Sequence, residues 1–280
     1  MASPISETWV YATMLIKNEW SETGTGFLVF RPISTSEGKV FLVTNKHVLN
    51  SKKELRDIAS ELTVYLNIKN PDGSISGESA KIQLVSPGGA KSWREHPDRD
   101  VDVLAIDITG LIVSYPQIEK KWANYEDIAN ETKRRELEVS IGDEILTIGY
   151  PLGLRHRTSN FPLVRAGIIS TRIGESLEDE IDEAGVKRKR VLRGFLIDGA
   201  TIPGSSGSPV VLKPTVGRIT RGAIQLGSAP QVLLGIIAET KLAPIQVNHG
   251  VIPSFAGLGL AFDAETINET IELFFNLLKD

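Results

Sequence analysis

The chain has 280 residues, 41% of them hydrophobic, a net charge of −4 and no cysteine. That length supports one large or two small cores, and the mild acidity speaks against a general electrostatic hold on nucleic acid or anionic lipid. The lack of cysteine excludes a disulfide framework, a zinc–thiolate site and a thiol nucleophile.

The first residues, Met1 to Glu7, lack a basic stretch followed by an apolar one, and no apolar run reaches about 18 residues. A cytoplasmic protein without membrane contact is the expectation. Further along, short runs of Val, Ile, Leu and Phe alternate with Gly, Pro, Asn, Asp and charged clusters, the pattern of an all-β chain. Strands are predicted at about 8–16, 24–30, 39–45, 62–69, 78–85 and 101–108 in the first half. A second set follows at about 143–149, 163–171, 191–198, 208–212, 232–240 and 257–262. Residues 114–138, with mixed charge and scattered aromatics, read as a helical or irregular connector between segments 1–113 and 139–280. Within 175–190, Glu178 to Glu183 followed by Lys187 to Arg190 reads as an exposed loop whose acidic and basic arms partly neutralise each other. Asp263-Ala264-Glu265-Thr266 can cap a final helix, along which Ile267, Ile271, Phe274, Phe275 and Leu278 recur at helical spacing.

Three short motifs carry chemistry. In Pro203-Gly204-Ser205-Ser206-Gly207-Ser208-Pro209, glycines flank a serine and let the backbone fold tightly around its hydroxyl. The N–H groups of Gly204 and Ser206 can then converge as an oxyanion hole. A serine nucleophile needs a histidine base, and that base needs a carboxylate to fix its tautomer. His47 follows the apolar run that ends in Thr44, and Asp102 opens the run Val103-Leu104-Ala105-Ile106. His96, His156 and His249 show no metal-ligand spacing and read as surface or structural residues, so neither metal nor cofactor is expected.

These motifs, with Gly24-Thr25-Gly26, Gly149-Tyr150-Pro151-Leu152-Gly153 and Gly257-Leu258-Gly259-Leu260-Ala261, resemble in order and spacing the trypsin-like (chymotrypsin-fold) serine proteases. Within them the chain is most similar to the bacterial Deg/HtrA-type protease domain, without room for a peptide-binding PDZ module. The resemblance implies two six-stranded antiparallel β-barrels, a C-terminal α-helix and a cleft between the barrels. It implies His47 as base, Asp102 as orienting carboxylate and Ser206 as nucleophile, with Asp100, two residues earlier on the same side, as the competitor of Asp102. It maps Ala200 to the base of the primary specificity pocket, and Thr240 and Gly259 to its walls. The strand around Ala238 would pair with the substrate main chain. None of these pocket residues is charged, so a small or medium apolar residue before the scissile bond is expected. Ser205 stands where cleavage-activated relatives carry an aspartate, so activation by a new N-terminal amine is not expected. Partners would be protein or peptide substrates, with an activating or substrate-delivering protein as a further expectation. Two rivals remain: a protease-fold binding module, and an esterase, whose nucleophile turn would lead into a helix.

Overall fold

Two β systems follow one another along the chain. The computed structural model describes residues 7–50, 58–119, 121–183, 186–199, 201–215, 217–220, 223–226, 231–247 and 250–276. The first system comprises β1 (Thr13–Asn18), β2 (Thr23–Pro32), β3 (Gly38–Thr44), β4 (Glu61–Lys69), β5 (Ile75–Gln83), β6 (Trp93–Glu95) and β7 (Leu104–Asp107). They form an antiparallel sheet in the order β5-β4-β1-β2-β3-β7-β6, and β8 (Ala123–Asn124) pairs in parallel with β2. Val85 bridges Lys91, and Ser92 N–H donates to the Leu84 carbonyl at 3.0 Å, which draws the two outer strands together. The sheet thus curls toward a barrel without a closed ladder among the described residues. Beyond the six strands expected in this half, the short β6 and β8 join the sheet, each too brief to show period-2 alternation in the sequence.

The second half contains a closed barrel. Its strands are β9 (Glu144–Gly149), β10 (Leu163–Ile169), β13 (Gly194–Asp198), β14 (Pro209–Leu212), β17 (Leu233–Val247) and β18 (Gly250–Asp263), in the order β10-β13-β18-β17-β14-β9. Outside it stand two hairpins, β11 (Leu177–Glu183) with β12 (Val186–Leu192), and β15 (Gly217–Thr220) with β16 (Ala223–Leu226). The loop expected at 175–190 is therefore a hairpin, because its charges fall opposite one another: Asp179 faces Arg190 and Glu180 faces Lys189.

Helices are few. The strand expected at 8–16 begins instead as α1 (Glu7–Ala12). Trp9 and Ala12, three apart, are buried together there, and an acidic residue opens the first turn. One-turn α2 (Lys46–Leu49) follows β3, α3 (Thr109–Ser114) follows β7, and α4 (Glu131–Glu136) lies in the expected connector. The final α5 (Ala264–Asn276) starts where the sequence indicated, with the Asp263 carboxylate accepting from Glu265 N–H at 2.9 Å. Leu278 lies outside the described residues.

Hydrophobic burial joins the two halves. A single core cluster contains Phe27, Phe41 and Val43 from the first half with Ile148, Leu233, Phe262, Ile267 and Ile271 from the second. No helix of the described residues is long and apolar enough to cross a membrane.

Candidate active site

β3 and β7 run antiparallel with Thr44 opposite Leu104. Continuing that register sets residue 46 opposite 102, and the turn of α2 brings His47 over Asp102. The His47 Nδ1 touches Asp102 Oδ2, and His47 N–H donates to Asp102 Oδ1 at 3.1 Å. Asn45, fully buried, donates from Nδ2 to the Asp102 carbonyl at 2.6 Å and fixes the loop from behind. Burial works to raise the Asp102 carboxyl, but the charge and hydrogen bonds of His47 outweigh it and hold it below the usual carboxylate range. The competitor Asp100 is turned elsewhere. Its two oxygens take the Arg188 guanidinium at 3.0 and 2.5 Å.

Ser206 sits in a turn held from both halves. Gly204 and Gly207 have φ of 91° and 87°, which a side-chain-bearing residue rarely adopts. Added Cβ atoms would come within 2.4 Å of the Tyr150 carbonyl oxygen and 1.8 Å of the Thr25 carbonyl oxygen, respectively. Thr25 N–H donates to the Ser206 carbonyl at 2.9 Å, and Gly207 N–H donates to the Ile237 carbonyl at 2.8 Å. The Thr25 hydroxyl donates to the Gly204 carbonyl at 2.9 Å and accepts from Tyr150 N–H at 3.1 Å.

A trans peptide points its C=O and N–H in opposite directions. The Pro203 carbonyl accepts from Leu152 N–H at 2.7 Å, and the Ser205 carbonyl accepts from Ser208 N–H at 3.0 Å. Each carbonyl is thereby anchored, and the Gly204 and Ser206 N–H groups each point away from the carbonyl of their own peptide. Among the described residues neither N–H has an acceptor. Ser205 closes the turn locally, its hydroxyl accepting from Ile202 N–H at 3.4 Å.

The Ser206 hydroxyl donates to the Ala238 carbonyl at 3.3 Å. Ala238 is the extra residue of a bulge, since the β17–β18 register passes from Ile237↔Ala261 to Glu239↔Leu260. Thr240 lies opposite Gly259, and Thr201 packs where a Cβ on Gly259 would stand, at 2.4 Å. Ala200 and His249 lie outside the described residues. A cleft of about 590 Å³ opens beside His47 and Asp102, lined further by Asp100, Arg188, Ala238 and Glu239. Glu239 accepts from Arg190 at 2.7 Å and Lys241 at 3.2 Å.

Sequence reasoning singled out His47, Asp102, Gly204 and Ser206 but assigned no role to Thr25, Tyr150 or Leu152. In Gly24-Thr25-Gly26 the two glycines make room chiefly for the Val48 and Leu42 side chains, so no local signal announces the contacts of Thr25.

Residues 24–215 match the family model described as trypsin-like peptidase domain. The chain belongs to that family. This trypsin-like peptidase is accordingly a serine protease, a hydrolase. The segment after Ser206 agrees, because Pro209 leads into strand β14 and not into the helix an esterase elbow requires. Among solved structures the trypsin-like peptidase is similar to the Rv3671c protease of M. tuberculosis. The inactive serine-to-alanine mutant is 16% identical, with 98% of this chain and 95% of that chain covered and a TM-score of 0.48. The active form is 15% identical, with 95% and 81% covered and a TM-score of 0.49. No curated protein matches the chain.

Proposed function

We propose that the protein is an endopeptidase in which His47, Asp102 and Ser206 form the catalytic triad. The observation that supports this most is the side-chain contact between His47 and Asp102, together with a serine turn whose Gly204 and Ser206 N–H groups have no acceptor among the described residues. In this reading the Ser206 Oγ attacks the scissile carbonyl carbon as its proton passes to His47 Nε2. The oxyanion accepts from Gly204 and Ser206 N–H, and His47 then gives its proton to the leaving amine. Water, activated by the same histidine, hydrolyses the acyl-enzyme.

The substrate main chain adds to the edge of β17 at Ala238, Glu239 and Thr240. That edge pairs with β14 only as far as Ile236 among the described residues. The residue before the cut is small or medium and apolar, with Thr240 and Gly259 as pocket walls and Ala200 at the base. Segments 1–113, 114–138 and 139–280 serve as His/Asp-bearing half, connector and Ser-bearing half.

Labelling by a fluorophosphonate probe tests the triad. Wild type is expected to label, and Ser206→Ala and His47→Ala are expected not to. Undiminished labelling or turnover in Ser206→Ala would sink the assignment. One observation favours a second reading, a latent form woken by a partner or substrate. The Ser206 proton is committed to the Ala238 carbonyl, and a hydroxyl has only one to give. Attack therefore begins with a rotation of the serine side chain toward His47. Folded wild-type protein that labels only after a binding partner is added would select this reading.

A further inference from the structure

His96, read from the sequence as a surface or structural histidine, is 3% exposed and has both ring nitrogens engaged. Its Nδ1 accepts from Asp98 N–H at 3.1 Å. An accepting Nδ1 leaves the ring proton on Nε2, which donates to Glu269 Oε2 at 2.7 Å. Glu269 belongs to α5 and also takes both arms of Arg193, at 2.6 and 2.7 Å. One carboxylate therefore joins the last helix, the strand region of the second half and a loop of the first half.

That loop is the one that carries Asp102. It closes on itself through His96 N–H to the Val103 carbonyl at 3.0 Å and Val101 N–H to the Asp98 carbonyl at 3.2 Å. The neighbour of His47 is fastened to the same spot. Lys46 Nζ donates to the His96 carbonyl at 3.0 Å and to the Asp98 carbonyl at 3.3 Å. The ring of His96 thus holds the loop from below while its carbonyl holds α2 from the side.

We infer that His96, clamped by Glu269, is a positioning residue that sets the distance and angle between Asp102 and His47. The inference rests on the triad reading above. Small displacements of a catalytic pair cost rate steeply, up to about 100-fold for ~1 Å. A clamp that reaches the pair through one short loop acts on turnover and leaves substrate affinity alone.

The test uses Glu269→Ala and Glu269→Gln; the Glu269 side chain is 44% exposed, so the fold tolerates its change, and melting curves check this. Glutamine keeps an oxygen for the His96 Nε2–H but loses the charge that Arg193 pairs with. Three readouts apply: the fluorophosphonate labelling rate, kcat against KM on a cleaved peptide, and the low-field NMR proton of His47 Nδ1–H. For Glu269→Ala, labelling and kcat are expected to fall about tenfold with KM unchanged and the low-field proton weakened. Glu269→Gln is expected to restore most of both. Wild-type labelling and an intact low-field proton in Glu269→Ala would overturn the inference. So would a Glu269→Gln variant as slow as the alanine, since the operative contact would then be Arg193. A His47→Ala variant that still labels would remove the triad reading, and this inference with it, which separates the two failures.

Discussion

Thr25 and Ser206 are joined backbone to backbone, the threonine N–H donating to the serine carbonyl at 2.9 Å across 181 positions of sequence. The threonine comes from β2 of the first half and the serine from the turn before β14 of the second. The Ser206 turn is therefore not carried by its own barrel alone. The Thr25 hydroxyl adds a second link, to the Gly204 carbonyl, directly behind one proposed oxyanion donor. The Thr44 hydroxyl completes the arrangement by donating to the Thr25 carbonyl at 2.8 Å.

Thr25→Val keeps the shape of the side chain but removes its hydroxyl. The Gly204 carbonyl and Tyr150 N–H each lose a partner, at about 1–3 kcal/mol for each buried group left unpaired. The expected outcome is a lowered melting temperature together with a reduced kcat. A variant that melts and turns over like wild type would count against the role of Thr25.

Gly207→Ala meets two obstacles, a φ of 87° and a backbone oxygen 1.8 Å from the new Cβ. Thr25 belongs to a buried strand and cannot give way. Loss of labelling is expected, with destabilisation above about 3 kcal/mol. Gly142→Ala, also at positive φ but with open space around its Cβ, serves as control and costs only about 1–2 kcal/mol. Chemical denaturation of the two variants side by side measures the difference.

Asp102→Asn and Asp100→Asn separate the two candidate carboxylates. The first is expected to lower kcat on the order of 10⁴-fold, because the amide cannot hold the same histidine tautomer. The second breaks the pair with Arg188 and is expected to change kcat within about fivefold. The pH dependence has a definite sign. The folded Asp102 carboxyl is held below its ordinary value, so its contribution to stability is complete above about pH 4 and is lost as pH falls through the folded value. Denaturation of wild type and Asp102→Asn from neutral to strongly acidic pH should show the gap closing only at the acid end.

Peptide-library cleavage tests the pocket. Ala, Val, Leu or Thr is expected before the cut, and Lys or Arg is expected to be rejected by at least about tenfold, since no charge among Thr240, Gly259 and Ala200 would compensate a buried cation. A preference for Lys or Arg would refute the assignment of these three positions.

What the sequence made legible was the part governed by local rules. Glycines that need positive φ announced the Ser206 turn, and apolar strand ends announced His47 and Asp102. Helical spacing after Asp263 announced α5. The features that stayed hidden depend on long-range pairing. Asp100 and Asp102 share strand parity, and their partners tell them apart: His47 meets Asp102, while Arg188, 88 positions away, takes Asp100. The hairpin at 177–192 looked like a loop because its strands carry charges where strands usually carry apolar residues, and cross-strand pairing reverses that penalty. His96 gave no local sign at all, since its burial depends on a helix 173 positions later.

The arrangement of contacts around Ser206 also bears on how the protein is made. The turn is held on one side by Thr25, near the start, and on the other by Ile237, while Glu269 braces the loop of Asp102 only after α5 has been synthesised. A chain emerging from the ribosome thus carries all three proposed catalytic side chains well before it holds them in working order. On the triad reading, these side chains are synthesised before Ile237 and Glu269, which brace them, have joined the fold.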